Sequence, residues 1–387
     1  MAWLKHKAKN PPKTALILSG GGARAAYQVG VLQGLADILP KDTANPFPIL
    51  CGTSAGAINA TALAIYARQF RQAVWRLVHV WGNFRVEQVF RANMWGLSAS
   101  ALHWFANLAL GGLGRDRPLS LLDRAPLQQL LDHYLPFEQI QRNIDQGLLH
   151  ALAITASSYS SGHTVSFFQG VDGLQPWRRS HRLGLADTIG LQHLMASSAI
   201  PFVFAPERIG DEFYGDGSMR QTAPISPALH LGAHKIVVIG VKHANNGNST
   251  DYPQRHPTLG QIAGHVLDSI FLDNIEVDVE RMERINRTLA QIPEKHHPED
   301  SVTMRRVDIL SIAPSRDIFR IAQRHAHYLP ASLRLFLRGI GVSQHRGANL
   351  LSYLLFEKSF CRELIALGYG DTLERRAEIE AFFELDG

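Results

Sequence analysis

The fold is decided by residues 46–64, which read PFPILCGTSAGAINATALA. The run Pro46–Cys51 is short and apolar, which is typical of a buried strand, and Ala55–Ala64 is rich in small residues, which favours a tightly packed helix. The turn GTSAG lies between them and is centred on Ser54. A strand, a GxSxG turn and a helix in this order hold a serine hydroxyl away from the backbone, where it can act as a nucleophile.

A second glycine cluster lies upstream, after another short strand signal. The apolar stretch Thr14–Ser19 predicts the strand, and Ala23–Leu39 carries apolar residues at helical spacing. The loop between them contains Gly20, Gly21 and Gly22. Glycines let backbone N–H groups approach a charged oxygen closely, and the following helix adds the positive end of its dipole. The cluster therefore indicates an anion-binding loop, which beside a nucleophilic serine would be an oxyanion hole.

The same glycine cluster could instead cradle the phosphates of a nucleotide. Its position after the first strand suits that alternative. However, the dinucleotide spacing GxGxxG fails at Ala25, and no GxxxxGK[ST] lysine follows. We therefore prefer the catalytic interpretation.

A third motif supplies the base that a serine nucleophile needs. Asp216 lies between Gly215 and Gly217, where flanking glycines allow a side chain to sit at a turn. A serine hydroxyl is a weak nucleophile unless a neighbouring group removes its proton, and Asp216 is the candidate. An aspartate with its ordinary pKa near 4 is a poor proton acceptor unless it is partly desolvated or the proton moves in concert with the attack.

Taken in chain order, these motifs resemble the patatin-like phospholipase family. The matching residues are Gly20-Gly21-Gly22-Ala23-Arg24, Gly52-Thr53-Ser54-Ala55-Gly56, Asp216-Gly217 and the segment ASSAIPFVF at 196–204. The resemblance extends over residues 14 to 315. The chain departs from the family pattern at Ser218, where many members carry glycine or alanine.

The resemblance implies a serine acyl hydrolase that cleaves carboxylic esters of phospholipids or lysophospholipids and uses neither a cofactor nor a metal. Ser54 would be acylated, and Asp216 would act as the general base without a histidine. The implied oxyanion hole comprises Gly20, Gly21, Gly22 and Arg24, and the implied nucleophile elbow is framed by Gly52 and Gly56. A neutral-lipid or thioester hydrolase, an acyltransferase with the same dyad, and a catalytically silent lipid-binding protein at membranes remain open alternatives.

A histidine could complete a catalytic triad instead. His243, His265 and His325 follow in the order Ser, Asp, His that α/β-hydrolases use. Those enzymes place several strands before the nucleophile, whereas the residues before Ser54 leave room for about two. The order of elements therefore favours the dyad.

Strand signals alternate with helical stretches as far as residue 315. This pattern predicts a three-layer α/β/α sandwich with a mainly parallel central sheet, followed by a C-terminal helical extension. With 387 residues, of which 45% are hydrophobic, the chain is long enough for one large core. We divide it into a basic arm at 1–13, an acyl hydrolase domain at 14–315 and a helical region at 316–387.

Charge and cysteine content bear on location and partners. Cys51 and Cys361 are the only cysteines, which favours a reducing compartment and hence the cytoplasm. We interpret the basic arm as exposed and mature, because the apolar stretch after it is too short for a signal peptide.

Arginines interleaved with apolar residues at 300–346 are typical of a helix on an anionic bilayer, which indicates peripheral membrane contact; a solvated helical face is the alternative. No nucleic-acid recognition motif accompanies this charge, so we expect no nucleic acid partner.

Residues 94–114 form the segment best suited to contact lipid. They include no Asp, Glu, Lys or Arg and contain bulky apolar side chains such as Trp104 and Phe105. We expect a lid or interfacial helix beside the site; a buried helix and a membrane span are the alternatives.

Overall fold

The structure is a computed structural model, and it describes residues 13–91, 122–201, 203–243, 256, 258–271, 273–292, 305–339, 342 and 348–385. The expectations for the basic arm before Lys13 and for the segment 94–114 lie outside these residues.

The described strands form a single mixed sheet. They are β1 (Thr14–Leu18), β2 (Ile49–Thr53), β3 (Ala151–Ser158), β4 (Thr164–Gly170), β5 (Trp177–Arg179), β6 (Arg182–Ala186), β7 (Glu207–Ile209), β8 (Glu212–Asp216), β9 (Lys235–Ile239) and β10 (Asp308–Ile312). Their order across the sheet is β10-β9-β1-β2-β3-β4-β6-β5, and β8 pairs with β3 and β7. Neighbouring strands from β10 to β3 are parallel. The predicted parallel centre is confirmed, and antiparallel pairings of β3 with β4 and with β8 extend it.

Helices cover both faces of this sheet. They are α1 (Ala26–Ile38), α2 (Ala55–Ile65), α3 (Phe70–Trp81), α4 (Ala125–Tyr134), α5 (Glu138–Asp145), α6 (Leu191–Ser197), α7 (Ser226–His230), α8 (Leu259–Phe271), α9 (Asp273–Ala290), α10 (Ile318–His325), α11 (Ala331–Gly339), α12 (Ala348–Leu354), α13 (Lys358–Glu374) and α14 (Arg376–Phe383). Short 3₁₀ turns lie at Gly22–Ala25, directly before α1, and at Gly217–Met219, directly after β8.

The alternation of side chains along β1 shows how the three layers are built. Leu16 and Leu18 point into a large core that also contains residues of α1, α2 and α3. Ala15 and Ile17 point into a smaller core with residues of α7 and α9. Successive strand residues face opposite sides of a sheet, so both faces of β1 are buried beneath helices. The predicted three-layer α/β/α sandwich is confirmed.

The C-terminal helices pack into the larger core. The Tyr27 hydroxyl of α1 donates to Asp371 of α13 at 2.9 Å, and the rings of Phe47 and Phe383 lie 5.9 Å apart between centroids. Among the residues described, no helix is both long and apolar enough to span a bilayer.

Candidate active site

Ser54 lies at the sharp turn between β2 and α2 and has φ of 54° and ψ of −129°. This backbone conformation is unusual for a residue with a side chain, and such strain is found mainly at functional sites. The flanking glycines are needed because the chain passes close to other backbone on both sides. A Cβ atom at Gly52 would lie 2.5 Å from Ala57 Cα, and one at Gly56 would lie 2.3 Å from the Leu18 carbonyl oxygen.

A second serine holds this turn against the sheet. The Ser54 N–H donates to Ser197 Oγ at 2.8 Å, and Ser197 Oγ donates to the Thr155 carbonyl of β3 at 2.6 Å. Ser197 lies in the segment that contributed to the family resemblance, but its role could not be inferred from the sequence because its partners are distant in the chain. The bridge attaches the strained turn to a central strand.

Asp216 ends β8, whose antiparallel pairing brings it beside Ala156 of β3. Its N–H donates to the Ala199 carbonyl at 2.9 Å, and its Oδ1 accepts the Ser218 N–H at 2.9 Å. Its Oδ2 is buried without a partner of full hydrogen-bond geometry in the described part of the chain. The Ser54 hydroxyl is nevertheless close enough to this carboxyl group to favour its charged form. The structure therefore places Ser54 and Asp216 next to each other.

Burial dominates the acid–base behaviour of Asp216. The side chain is fully buried, and desolvation raises its pKa from 3.8 to about 7, although the nearby Ser54 hydroxyl and the hydrogen bond from Ser218 act in the opposite direction. A carboxyl group with a pKa near the working pH can both accept a proton and return it. Of the two conditions under which an aspartate could act as the base, desolvation and concerted proton transfer, this environment provides desolvation.

The glycine loop lies directly against this pair. A Cβ atom at Gly20 would lie 2.4 Å from Ser218 Oγ and 3.1 Å from Ser54 Cβ. Gly22 has φ of +54°, and a Cβ atom there would lie 2.3 Å from the Tyr353 carbonyl oxygen. Any larger residue would disrupt these contacts, so the glycines are required for close approach as well as for backbone conformation. The loop then runs through the 3₁₀ turn at Gly22–Ala25 into α1.

Arg24 contacts α8 and α12. It is buried, its Nε donates to Ser352 Oγ at 2.7 Å, and its Nη2 pairs with Asp268 of α8 at 3.2 Å. The guanidinium also lies 4.2 Å from the ring centroid of Tyr353. A buried guanidinium needs a counter-charge, and Asp268 supplies it. These contacts anchor the glycine loop to α8 and α12, and the assignment of Arg24 to the oxyanion hole stays a prediction.

An apolar cavity of about 300 Å³ begins at Ser54 and Gly22. Its walls come mainly from α2, α3 and α4, with Phe356 contributed by the C-terminal region. Ser198 also lines it, and its hydroxyl is buried with no hydrogen-bond partner among the described residues. The cavity can accept a long apolar group whose reactive end lies at Ser54.

The histidines considered for a triad have other neighbours. His243 Nδ1 lies 2.9 Å from the Pro314 carbonyl oxygen, and His325 lies between Ser359 at 3.1 Å and Glu363 at 2.7 Å. His265 is exposed on α8. None of the three lines the cavity at Ser54. Within the described ranges, no cluster of three or more His, Cys, Asp or Glu side chains could hold a metal ion.

Comparisons with known proteins show similarity to lipid-cleaving enzymes. The family model described as patatin-like phospholipase matches residues 16–229. The cGAMP-activated phospholipase of Pseudomonas aeruginosa is 24% identical over 80% of this chain and 86% of its own length. The calcium-independent phospholipase A2-gamma of Rattus norvegicus is 23% identical over 56% of this chain, which spans only 25% of that protein. The solved structure of human GIVD cytosolic phospholipase A2 with methyl gamma-linolenyl fluorophosphonate aligns at a TM-score of 0.44 and 12% identity, covering 96% of this chain and 59% of that one.

Proposed function

We propose that this chain, which belongs to the patatin-like phospholipase family, is a lipid hydrolase that cleaves carboxylic esters of phospholipids or lysophospholipids through a Ser54–Asp216 dyad. The observation that carries the proposal is the convergence of three features at one end of an apolar cavity. These are the strained Ser54 turn, the buried Asp216 carboxyl group and the glycine loop.

The first chemical step forms the acyl-enzyme. Ser54 Oγ attacks the ester carbonyl carbon while its proton passes to the Asp216 carboxylate, and the carbonyl π electrons move to the oxygen. When the tetrahedral intermediate collapses, the C–O bond to the alcohol breaks and the proton from Asp216 is transferred to the leaving oxygen. Water then attacks the acyl-enzyme by the same route, which releases the fatty acid and restores the hydroxyl of Ser54.

The glycine loop supplies the charge stabilisation that a two-residue site needs. Backbone N–H groups at Gly20, Gly21 and Gly22 are the candidate donors to the oxyanion, since no Cβ prevents a ligand atom from approaching. The Ser54 N–H already donates to Ser197, so the loop must provide most of the donors. Removing one such donor typically lowers kcat by about 10²–10³. Arg24 acts in this scheme by holding the loop in place.

Substitution of the dyad tests the proposal. We expect Ser54→Ala to abolish hydrolysis and Asp216→Asn to lower kcat by about 10³ or more, because an amide cannot accept the proton. A fluorophosphonate probe should label the wild-type protein, and mass spectrometry should locate the adduct on the peptide containing Ser54. The control is Asp278→Asn, which changes a buried aspartate on the opposite face of the sheet and should retain labelling. Adduct formation at another residue, or full activity in Asp216→Asn, would contradict the proposal of a Ser54–Asp216 dyad.

The headgroup and the acyl acceptor are tested with a substrate panel. Phospholipid, lysophospholipid, triacylglycerol and acyl-thioester substrates are compared under identical conditions, with Ser54→Ala as the blank. We expect the highest kcat/KM with phospholipid or lysophospholipid. A preference for triacylglycerol or thioester would instead support the alternative classes, and transfer to an added alcohol would identify an acyltransferase.

We also propose peripheral contact with anionic membranes through α10 and α11. Tyr328 and Leu335 on this surface are 51% and 59% exposed. The arginines of this stretch of chain are Arg316, Arg320, Arg324, Arg334 and Arg338. Glu363 pairs with Arg316 and Arg324, and Asp317 pairs with Arg320. Exposed apolar groups among arginines suit a bilayer that contains anionic lipids.

Vesicle binding tests this surface. We expect the protein to sediment with vesicles that contain phosphatidylserine, less so at high salt, and Leu335→Ser to weaken that binding. Leu259→Ser is the matched control, because Leu259 is 71% exposed and lies on α8, outside α10 and α11. Equal binding by Leu335→Ser and the wild type would place the contact elsewhere.

A further inference from the structure

The apolar cavity follows one face of α2 away from Ser54. Ala55, Ile58, Ala62 and Tyr66 line it in succession. They follow one another at intervals of three or four residues, which places them on the same side of a helix. An α-helix rises 1.5 Å per residue, so the distance along this face from Ser54 to Tyr66 is about 18 Å, and the cavity extends over that length.

Among the residues that the structure describes, none closes the end of the cavity remote from Ser54. Trp75 and Tyr134 line it there and are 65% and 50% exposed. Arg76 and His79, also part of the lining, are exposed. Trp75 and His79 line both the cavity and a groove on the outer surface. A molecule inside the cavity can therefore reach solvent at a point far from the dyad.

Aromatic and polar contacts form the rim of this exit. The Tyr66 hydroxyl donates to the Tyr134 carbonyl at 3.1 Å, and the Arg76 guanidinium lies 4.5 Å from the centroid of the Tyr66 ring. The rings of Trp75 and His79 stack at 5.6 Å. Such side chains present an apolar body with a polar edge, which suits the place where a hydrocarbon chain leaves protein for water or lipid.

We infer that the cavity is an open-ended acyl tunnel, in which the acyl chain lies along α2 with its carbonyl carbon at Ser54 and its methyl end at the exit formed by Tyr66, Trp75 and Tyr134. The inference rests on the proposed function and specifies its substrate class as long-chain acyl esters. A zigzag chain of 1.5 Å bonds advances about 1.25 Å per carbon, so about 14 carbons span the tunnel. Longer chains project through the exit, and the site sets no sharp upper limit on chain length.

The wild-type protein tests the open end directly. Full-length protein is assayed with p-nitrophenyl esters of 4 to 20 carbons in mixed micelles and with a 16-carbon ester that carries a pyrene group at its methyl end. We expect kcat/KM to rise up to about 14 carbons and then to remain within about threefold, and the pyrene ester to be hydrolysed within about tenfold of the unlabelled ester. A steep fall beyond 14 carbons together with no hydrolysis of the pyrene ester would show a closed end and overturn the inference.

A substitution inside the tunnel tests the path of the chain. Ala62 lies eight helical residues beyond Ser54, or about 12 Å along α2, so Ala62→Phe should block the tunnel at about nine carbons. We expect the ratio of kcat/KM for the 16-carbon ester to that for the 4-carbon ester to fall by at least about tenfold. The same exchange at the exposed Ala381 is the matched control and should leave this ratio unchanged. An unchanged ratio in a folded Ala62→Phe variant would mean that the chain does not lie along α2.

These outcomes are separable from a failure of the proposed function. A wild-type protein that neither hydrolyses the 4-carbon ester nor reacts with a small fluorophosphonate lacks the dyad chemistry, whatever the shape of the tunnel. If the 4-carbon ester is hydrolysed but the tunnel is closed or lies elsewhere, the dyad mechanism still stands. Only the proposed path of the acyl chain is then wrong. Thermal unfolding of Ala62→Phe shows whether the variant is folded, and the pyrene measurement does not depend on it.

Discussion

At the scale of single residues, the candidate site combines two unfavourable features. Ser54 holds a backbone conformation that side chains normally avoid, and Asp216 places an ionisable group where water does not reach it. Both features lower the stability of the fold. In the proposed mechanism both serve the chemistry, because one presents the hydroxyl to a substrate and the other raises the pKa of the proposed base towards neutrality. Their energetic cost can therefore be measured by substitution.

Replacement of Ser54 separates strain from chemistry. Ala retains the strained backbone, whereas Gly adopts φ of 54° and ψ of −129° without a Cβ clash. We expect both variants to be inactive, and Ser54→Gly to be more stable than Ser54→Ala by about 1–2 kcal/mol. Chemical denaturation measures the difference. Equal stabilities would show that the turn is not strained.

Asp216→Asn should change the dependence of stability on pH. The folded state raises the pKa of this carboxyl group from 3.8 to about 7. Between these values the folded protein binds more protons than the unfolded chain, so wild-type stability falls as pH rises through this window. The cost is absent below about pH 4 and complete above about pH 7. We expect Asp216→Asn to be more stable than the wild type by roughly 2–4 kcal/mol at pH 8, and expect this gain to disappear near pH 4.

Denaturation of both proteins at pH 4 and pH 8 provides the measurement. A gain that does not depend on pH would mean that titration of Asp216 is not its source. A loss of stability at pH 8 would indicate that the ionised carboxylate is better solvated than its burial implies.

At the scale of elements, the glycine loop and the helix that follows it depend on close backbone contacts. Within α13, Gly368 lies against α1, where a Cβ atom would be 2.3 Å from the Tyr27 carbonyl oxygen, whereas nothing lies within 4 Å of the same position at Gly370. α1 follows the glycine loop directly. The packing of α13 on α1 therefore supports the helix that follows the glycine loop.

These two glycines of one helix provide a matched pair of substitutions. We expect Gly368→Ala to lower the free energy of unfolding by about 2 kcal/mol or more, because it forces α13 away from α1. We expect Gly370→Ala to raise it by about 0.5–1 kcal/mol, because alanine favours a helix and meets no neighbour. Urea denaturation of the two variants measures both changes. Similar effects at the two positions would contradict the close packing of α13 on α1.

At the scale of the whole molecule, the site is assembled from both ends of the chain. The glycine loop comes from the first strand, whereas the side chains that hold Arg24 come from α8 and α12. Tyr353 and Asn349 of α12 also donate to Asp268, so this one carboxylate on α8 connects the glycine loop to α12. We propose that residues 316–387 complete the hydrolase formed by residues 14–315, since Leu354 and Phe356 also line the cavity.

Asp268→Asn tests this connection. The amide removes the counter-charge of Arg24 but retains the size of the side chain, so the loop should lose its fixed position. Because the loop is proposed to act on the transition state, we expect kcat to fall by about tenfold or more with little change in KM. Asp278→Asn serves as the control, since Asp278 pairs with Arg281 on α9, a helix that packs into the smaller core. Equal effects of the two substitutions on kcat would indicate general destabilisation and reject a positioning role for Asp268.

Features that depend on residues close together in the chain follow from the sequence. The order of strand, GTSAG turn and small-residue helix around Ser54, the glycine loop and the alternation of strands with helices could all be inferred, because glycine and small residues meet backbone demands that act within a few positions. The antiparallel pairings of β3, the Ser197 bridge, the partners of Arg24 and the open end of the cavity were decided only by the tertiary structure. Each depends on groups that are distant in the chain, and so does the raised pKa of Asp216, because water is excluded from a side chain only by the residues that fold around it.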